Sequence, residues 1–318
     1  MPPLGRLALG TGLALSAVGT IAVGGALALA RAITGPQRAS TYRDYVFTPF
    51  EAGIPFQGVV VPAADGTRLA AWWMPQGQRD RVVICCPYYR GHKSALMGIA
   101  GALWRAGFST FLFDYRGHGE HVGTPVTLGY REVEDLLAAV EVVQRLAPGA
   151  ALGAIGYSMG AAVAIMGAAR QPAIQAVVAD GAFARQSDAI RTGVREQLGV
   201  PIDPLMPLIE LIVHSRLGYR FSDVQPLRDV ANLNGRPLLI IHGEADEVVR
   251  VEQAHRLYAA ATPPKELWTL PGVGHCGAYF EDRTTYCARV TGFFDQALTG
   301  SAASRPPSGD PEGLGARI

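Results

Sequence analysis

Between residues 81 and 298, short apolar runs alternate with stretches of helical periodicity, and that alternation decides the class of fold. "RVVICC" (81–86), "STFLFD" (109–114), "ALGAIGY" (151–157), "AVVAD" (176–180), "PLLIIHG" (237–243) and "KELWTL" (265–270) read as strands. Residues 94–106, 130–146, 159–170, 251–261 and 277–298 read as helices. Strands this uniformly apolar have no wet face, so they predict a mainly parallel α/β sheet with helices on both sides. "FQGVVVPA" (56–63) and "RLAAWWMP" (68–75) flank Asp65-Gly66 and read as a hairpin ahead of the parallel part. Residues 183–228 break the rhythm. They are rich in Leu, Ile and Pro, and predict a short helical cap inserted over one edge of the sheet. With 318 residues, 49% of them hydrophobic, the chain can bury one large core, here expected over 45–299.

The two ends differ from this middle. Leu7 to Ala30 carries no charge and is bracketed by Arg6 and Arg31. A bilayer core takes about 20 apolar helical residues, so residues 1–35 are expected to be a single-pass anchor, with the membrane contacted through residues 7–30 of a protein at a bacterial cell membrane. A cleaved signal peptide ending near Ala28-Leu29-Ala30, giving a secreted protein, is the alternative, and a helix buried in the domain is the third reading. Arg31, Arg38 and Arg43 follow the run and only Arg6 precedes it. Residues 300–318 are dominated by Gly, Pro and Ser and are expected to be a disordered tail. A net charge of +1 supplies no field for nucleic acid, and no such partner is expected.

Ser158 falls where a strand runs directly into a helix, between Gly156 and Gly160 in "GYSMG". Such a junction turns sharply, and a side chain two positions away on either side would strike backbone; glycine removes the Cβ. The turn lifts the serine oxygen clear of the sheet edge, beside the N–H groups of the helix N-terminus, among them that of Met159. Glycine is abundant here, so the spacing alone is weak; the strand before it and the helix after it carry the reading.

A serine hydroxyl needs a base. His275, in "LPGVGHCGAYF", follows the last strand and reaches the same sheet edge. His92 and His118 lie on earlier loops, and His242 closes a buried strand, which suggests a structural role. The base needs an orienting carboxylate. Asp246, after the penultimate strand, gives the order Ser–Asp–His; Asp180, ending its own strand, is the other candidate. His118-x-x-His121 has metal-like spacing but sits in a glycine turn with no second pair, so no metal and no organic cofactor is assigned. Cys85, Cys86, Cys276 and Cys287 read as free thiols, ahead of a Cys86–Cys276 contact near the site.

"GYSMG", "DYRGHGE" (114–120), "PLLIIHGEADEVV" and "GVGHC", in this order, resemble the α/β-hydrolase-fold serine hydrolases, and within them a small, often membrane-anchored esterase- or thioesterase-like branch. The resemblance spans about residues 45–298. It implies an eight-stranded, mostly parallel sheet and a Ser158–Asp246–His275 triad. One departure matters: "ICCPYYRGHK" puts Cys86 and Pro87 where the family has His-Gly, so Tyr88 N–H becomes the first oxyanion donor beside Met159 N–H. Tyr89, with Tyr157, is expected to narrow the pocket or to be packing. Relatives with aspartate or cysteine at the elbow run other chemistry, which leaves cleavage of a small or lipidic acyl ester or thioester. A serine aminopeptidase would need cap carboxylates to hold a free amine, and Asp188, Glu196, Asp203, Glu210 and Asp223 are interspersed with arginines. An acyltransferase, or a binding module that keeps the fold without catalysis, are the remaining readings.

Overall fold

The computed structural model describes residues 20–36, 46–77, 80–119, 123–199 and 201–302. Helix α1 (20–34) comes first. Strands β1 (Gln57–Pro62) and β2 (Arg68–Met74) form the expected hairpin, followed by β3 (Arg81–Cys86), α2 (Met97–Arg105), β4 (Ser109–Phe113), α3 (Glu132–Leu146), β5 (Ala151–Tyr157), α4 (Met159–Arg170) and β6 (Ile174–Asp180). The cap then supplies α5 (Gln186–Leu198), α6 (Met206–Leu217) and α7 (Pro226–Asp229). The chain closes with β7 (Leu238–Gly243), α8 (Glu252–Ala260), β8 (Lys265–Leu270), α9 (Ala278–Glu281) and α10 (Arg283–Ala302).

The eight strands form one sheet in the order β1-β2-β4-β3-β5-β6-β7-β8, in which β2 alone runs against the others. This is the α/β-hydrolase architecture expected from the motifs. The strand order reverses between β3 and β5, the place where α/β sheets open a crevice beyond their carboxyl ends. Cys86 pairs with Gly156, and Tyr157 with Asp180, so the loops after β3, β5 and β6 emerge side by side.

Side chains along β3 alternate between two cores. Val82, Ile84 and Cys86 face α3 and α4, whereas Val83 and Cys85 face α2 and α10. Cys276 packs with the second core and Cys86 with the first, and all four cysteines are free.

One expectation needs revision. The helix foreseen over 277–298 is broken at Asp282, whose extended backbone ends α9 and whose carboxylate accepts from the Thr285 N–H (3.0 Å) and hydroxyl (2.6 Å), starting α10 afresh. The expected anchor lies largely outside the described residues, and among the described residues no helix is long and apolar enough to cross a membrane. Residues 7–19, Arg38, Arg43, His121 and the tail from 303 onward lie outside the described residues. Residues 20–30 belong to α1, which buries Ala26, Ala30, Ile33 and Thr34 against the domain. Two alanines one turn apart let this part of the helix approach the domain closely.

Candidate active site

Ser158, Asp246, His275, Tyr88 and Met159 all follow the carboxyl ends of strands of the sheet. Ser158 follows β5 with φ 53° and ψ −115°, a left-handed conformation that costs a non-glycine residue of order 1–3 kcal/mol. Its N–H donates to the Asp180 carbonyl (2.8 Å), which clamps the turn to β6. A Cβ on Gly156 would overlap the Gly160 carbonyl, and one on Gly160 would overlap the Cys86 carbonyl. The glycines are therefore required by close backbone approach of α4 to β5 and to the end of β3.

His275 lies on the loop after β8, with its Nε2 2.8 Å from Ser158 Oγ and its Nδ1 2.6 Å from Asp246 Oδ2. A neutral ring makes both bonds in one tautomer: Nδ1–H donates to the carboxylate and Nε2 accepts from the hydroxyl. Asp246 Oδ1 accepts from the N–H groups of Val248 (2.9 Å) and Val249 (2.8 Å). Burial raises the Asp246 pKa, but hydrogen bonds from His242 and His275, with the charge of His275, outweigh it and hold the carboxyl at about 2. It is thus ionised and directed at the imidazole. Two loops are stitched together to achieve this: Glu244 N–H donates to Leu270 O (2.9 Å) and Ala245 N–H to Val273 O (3.0 Å).

Asp180, the competing carboxylate, is occupied elsewhere. It accepts from the Tyr286 hydroxyl (2.9 Å), and burial pushes its pKa up to about 6. His242, read from sequence as structural, does more than fill space. It is fully buried, its Nε2–H donates to Val249 O (2.7 Å), and the same nitrogen lies 3.3 Å from Asp246 Oδ2. Its position four residues before Asp246 in "HGEAD" was the available signal. His92 and His118 are remote from this chain of bonds: His92 Nδ1 accepts from Ser94 N–H, and His118, buried, has its Nδ1 2.6 Å from Arg116 O.

Met159 opens α4, where an N–H has no intrahelical acceptor. Tyr88 follows Pro87 on the loop after β3, and its ring is partly exposed. A cavity of about 550 Å³ lies over Ser158 and His275, walled by Tyr88, Tyr157, Tyr279 and Phe280. A second, of about 270 Å³, reaches Ser158 and Met159 from the side of α1 and α5. Tyr89 lines both.

A family model described as serine aminopeptidase, S33, matches residues 77–223, a span that includes Ser158 and ends before Asp246. The chain is 30% identical over 253 residues to the uncharacterized protein YfhR of Escherichia coli, covering 76% of this chain and 81% of that protein. It is 31% identical over 248 residues to the uncharacterized protein Rv2307c of Mycobacterium tuberculosis, covering 74% and 81%. Among solved structures it resembles the esterase Pf2001 of Pyrococcus furiosus with a TM-score of 0.67 at 26% identity, over 83% of this chain and 99% of that one.

Proposed function

Because this chain belongs to the α/β-hydrolase superfamily, in the family of YfhR and Rv2307c, we propose that it is a serine hydrolase that cleaves a carboxylic ester or thioester through an acyl-enzyme. The observation that carries the reading is the unbroken hydrogen-bonded line from Asp246 through His275 to a strained Ser158.

In this reading His275 Nε2 takes the Ser158 proton as Oγ attacks the carbonyl carbon. Asp246 holds the Nδ1 proton and stabilises the imidazolium. The N–H groups of Met159 and Tyr88 meet the oxyanion; one such donor is worth roughly 10²–10³ in rate. His275 then gives its proton to the departing alcohol or thiol, and water, activated by the same nitrogen, releases the acid.

The matched description raises the aminopeptidase alternative, but the cavities argue for ester chemistry. A free amine needs a carboxylate partner, and none of the described residues lining either cavity is Asp or Glu. Asp188 and Asp203 pair with Arg191, Asp223 accepts from Arg220 N–H, Glu210 accepts from Phe221 N–H, and Glu196 is exposed.

The test is labelling with a fluorophosphonate probe alongside hydrolysis of p-nitrophenyl acetate. We expect both, and expect both to vanish in Ser158→Ala. A folded chain that does neither is a binding module. Ester rather than acid as the main product when an alcohol is added identifies an acyltransferase.

A further inference from the structure

The two cavities that meet at Ser158 share Tyr89 and Val248 besides the serine, and otherwise diverge. The larger contains His275 and Cys276; the smaller contains Met159 and leaves His275 behind. This asymmetry assigns the substituents of a tetrahedral intermediate. The leaving group must lie within reach of His275 Nε2, which protonates it, and so occupies the larger cavity. The oxyanion points at Met159 N–H. The remaining substituent, the acyl carbon chain, departs through the smaller cavity.

That cavity runs between α1 and α5. Its walls are Leu29, Ala32 and Ile33 from α1 and Ile190, Gly193 and Val194 from α5. A methylene fills roughly the volume of a liquid water, about 30 Å³, so about 270 Å³ takes a straight chain of about six to nine carbons.

We propose that this cavity is the acyl site, that it selects an unbranched medium-length aliphatic acyl group, and that α1 is the wall that limits chain length; the proposal rests on the serine-hydrolase reading. The wall is tied to the oxyanion loop. Tyr89 hydroxyl donates to Ile33 O (2.6 Å) and Arg90 guanidinium to Ala32 O (2.8 Å), while Val126 N–H, on the loop after β4, donates to Thr34 O (3.0 Å). These are carbonyls of the last turn of α1, which have no partner inside the helix. The cavity and the loop bearing Tyr88 are thereby held in one position.

The test is kcat/KM for p-nitrophenyl esters from acetate to palmitate on the full chain. The parent should peak between hexanoate and octanoate and fall at least about tenfold by palmitate. Gly193→Leu adds bulk where a Cβ meets nothing within 4 Å, and should lower the octanoate-to-acetate ratio at least about tenfold. Leu29→Ala, on a half-buried wall residue, should move the optimum to longer chains. Fluorophosphonate labelling of Ser158 and a cooperative thermal melt identify variants that are folded and competent; should Gly193→Leu fail there, Ala189→Leu fills the same cavity. A folded, labelled variant with an unchanged ratio overturns the proposal, as does a ratio that responds to Ala95→Leu in the larger cavity instead. Absence of labelling and of hydrolysis in the folded parent overturns the hydrolase reading itself, and the acyl site with it.

Discussion

Two carboxylates compete for one histidine at the residue scale, and only three-dimensional geometry separates them by contact. Asp180 and Asp246 both end or follow strands of the same sheet, but Asp246 alone bonds the His275 ring, at 2.6 Å. Asp246→Asn should lower kcat by about 10⁴, whereas Asp180→Asn, which leaves that bond in place, should stay within about tenfold of the parent; steady-state ester hydrolysis decides. The flanking glycines give a second expectation. A Cβ on Gly160 overlaps the Cys86 carbonyl, so Gly160→Ala must push α4 and its Met159 N–H away from the end of β3. Loss of about 10²-fold in kcat is expected, with KM nearly unchanged, since the donor acts in the transition state. Ser158, Gly156, Gly160 and His275 were legible in the sequence because the elbow's steric demand is local and the loops follow strands in fixed order. His242's approach to Asp246 left only the four-residue spacing in "HGEAD" as a sequence signal, since the contact depends on how the loop from Glu244 to Val249 folds back.

At the scale of elements, the strands and the helices packed on them were readable from apolar periodicity, and β5, α4 and β8 fall where the sequence puts them. Periodicity reports that a face is apolar and says nothing of what covers it. An uncharged Ala- and Gly-rich helix suits lipid and close protein packing alike, and α1 buries Ala26, Ala30 and Ile33 on the domain. The helix expected over 277–298 departs from its pattern at Asp282, where a capping carboxylate overrides a continuous helical periodicity. Removing residues 1–35 should therefore do more than free the domain from its amino end. Losing the apolar contact of those three side chains with the domain surface they cover should cost about 3 kcal/mol, lowering the melting temperature by roughly 6–12 °C in a domain of this size. Calorimetry on the truncated and full chains measures it; equal melting temperatures would mean that α1 contributes nothing to stability.

Across the whole molecule, burial of one charge makes stability depend on pH. Asp180 has an ordinary value of 3.8 and is raised to about 6 in the fold, so the native state binds this proton more tightly than the unfolded chain. Its stabilising contribution is present below pH 4, declines as pH rises, and is gone above about 6. Asp246 works in the opposite direction: held at about 2, it adds stability above pH 4 that is lost as pH falls toward 2. Asp180→Asn keeps an acceptor for Tyr286 and removes the first effect, so its advantage over the parent should grow from near zero at pH 4 to at most about 2–3 kcal/mol above pH 6. Urea unfolding at several pH values reads this directly, and a gap constant from pH 4 to 7 would refute it. The ties from Tyr89 and Arg90 to the last turn of α1 carry a mechanical consequence as well. Tension applied ahead of residue 20 arrives at the loop that carries Tyr88 before it loads the strands. Fastened to a bead by its amino end and stretched, the molecule should lose turnover while still folded; fastened beyond α10, it should not.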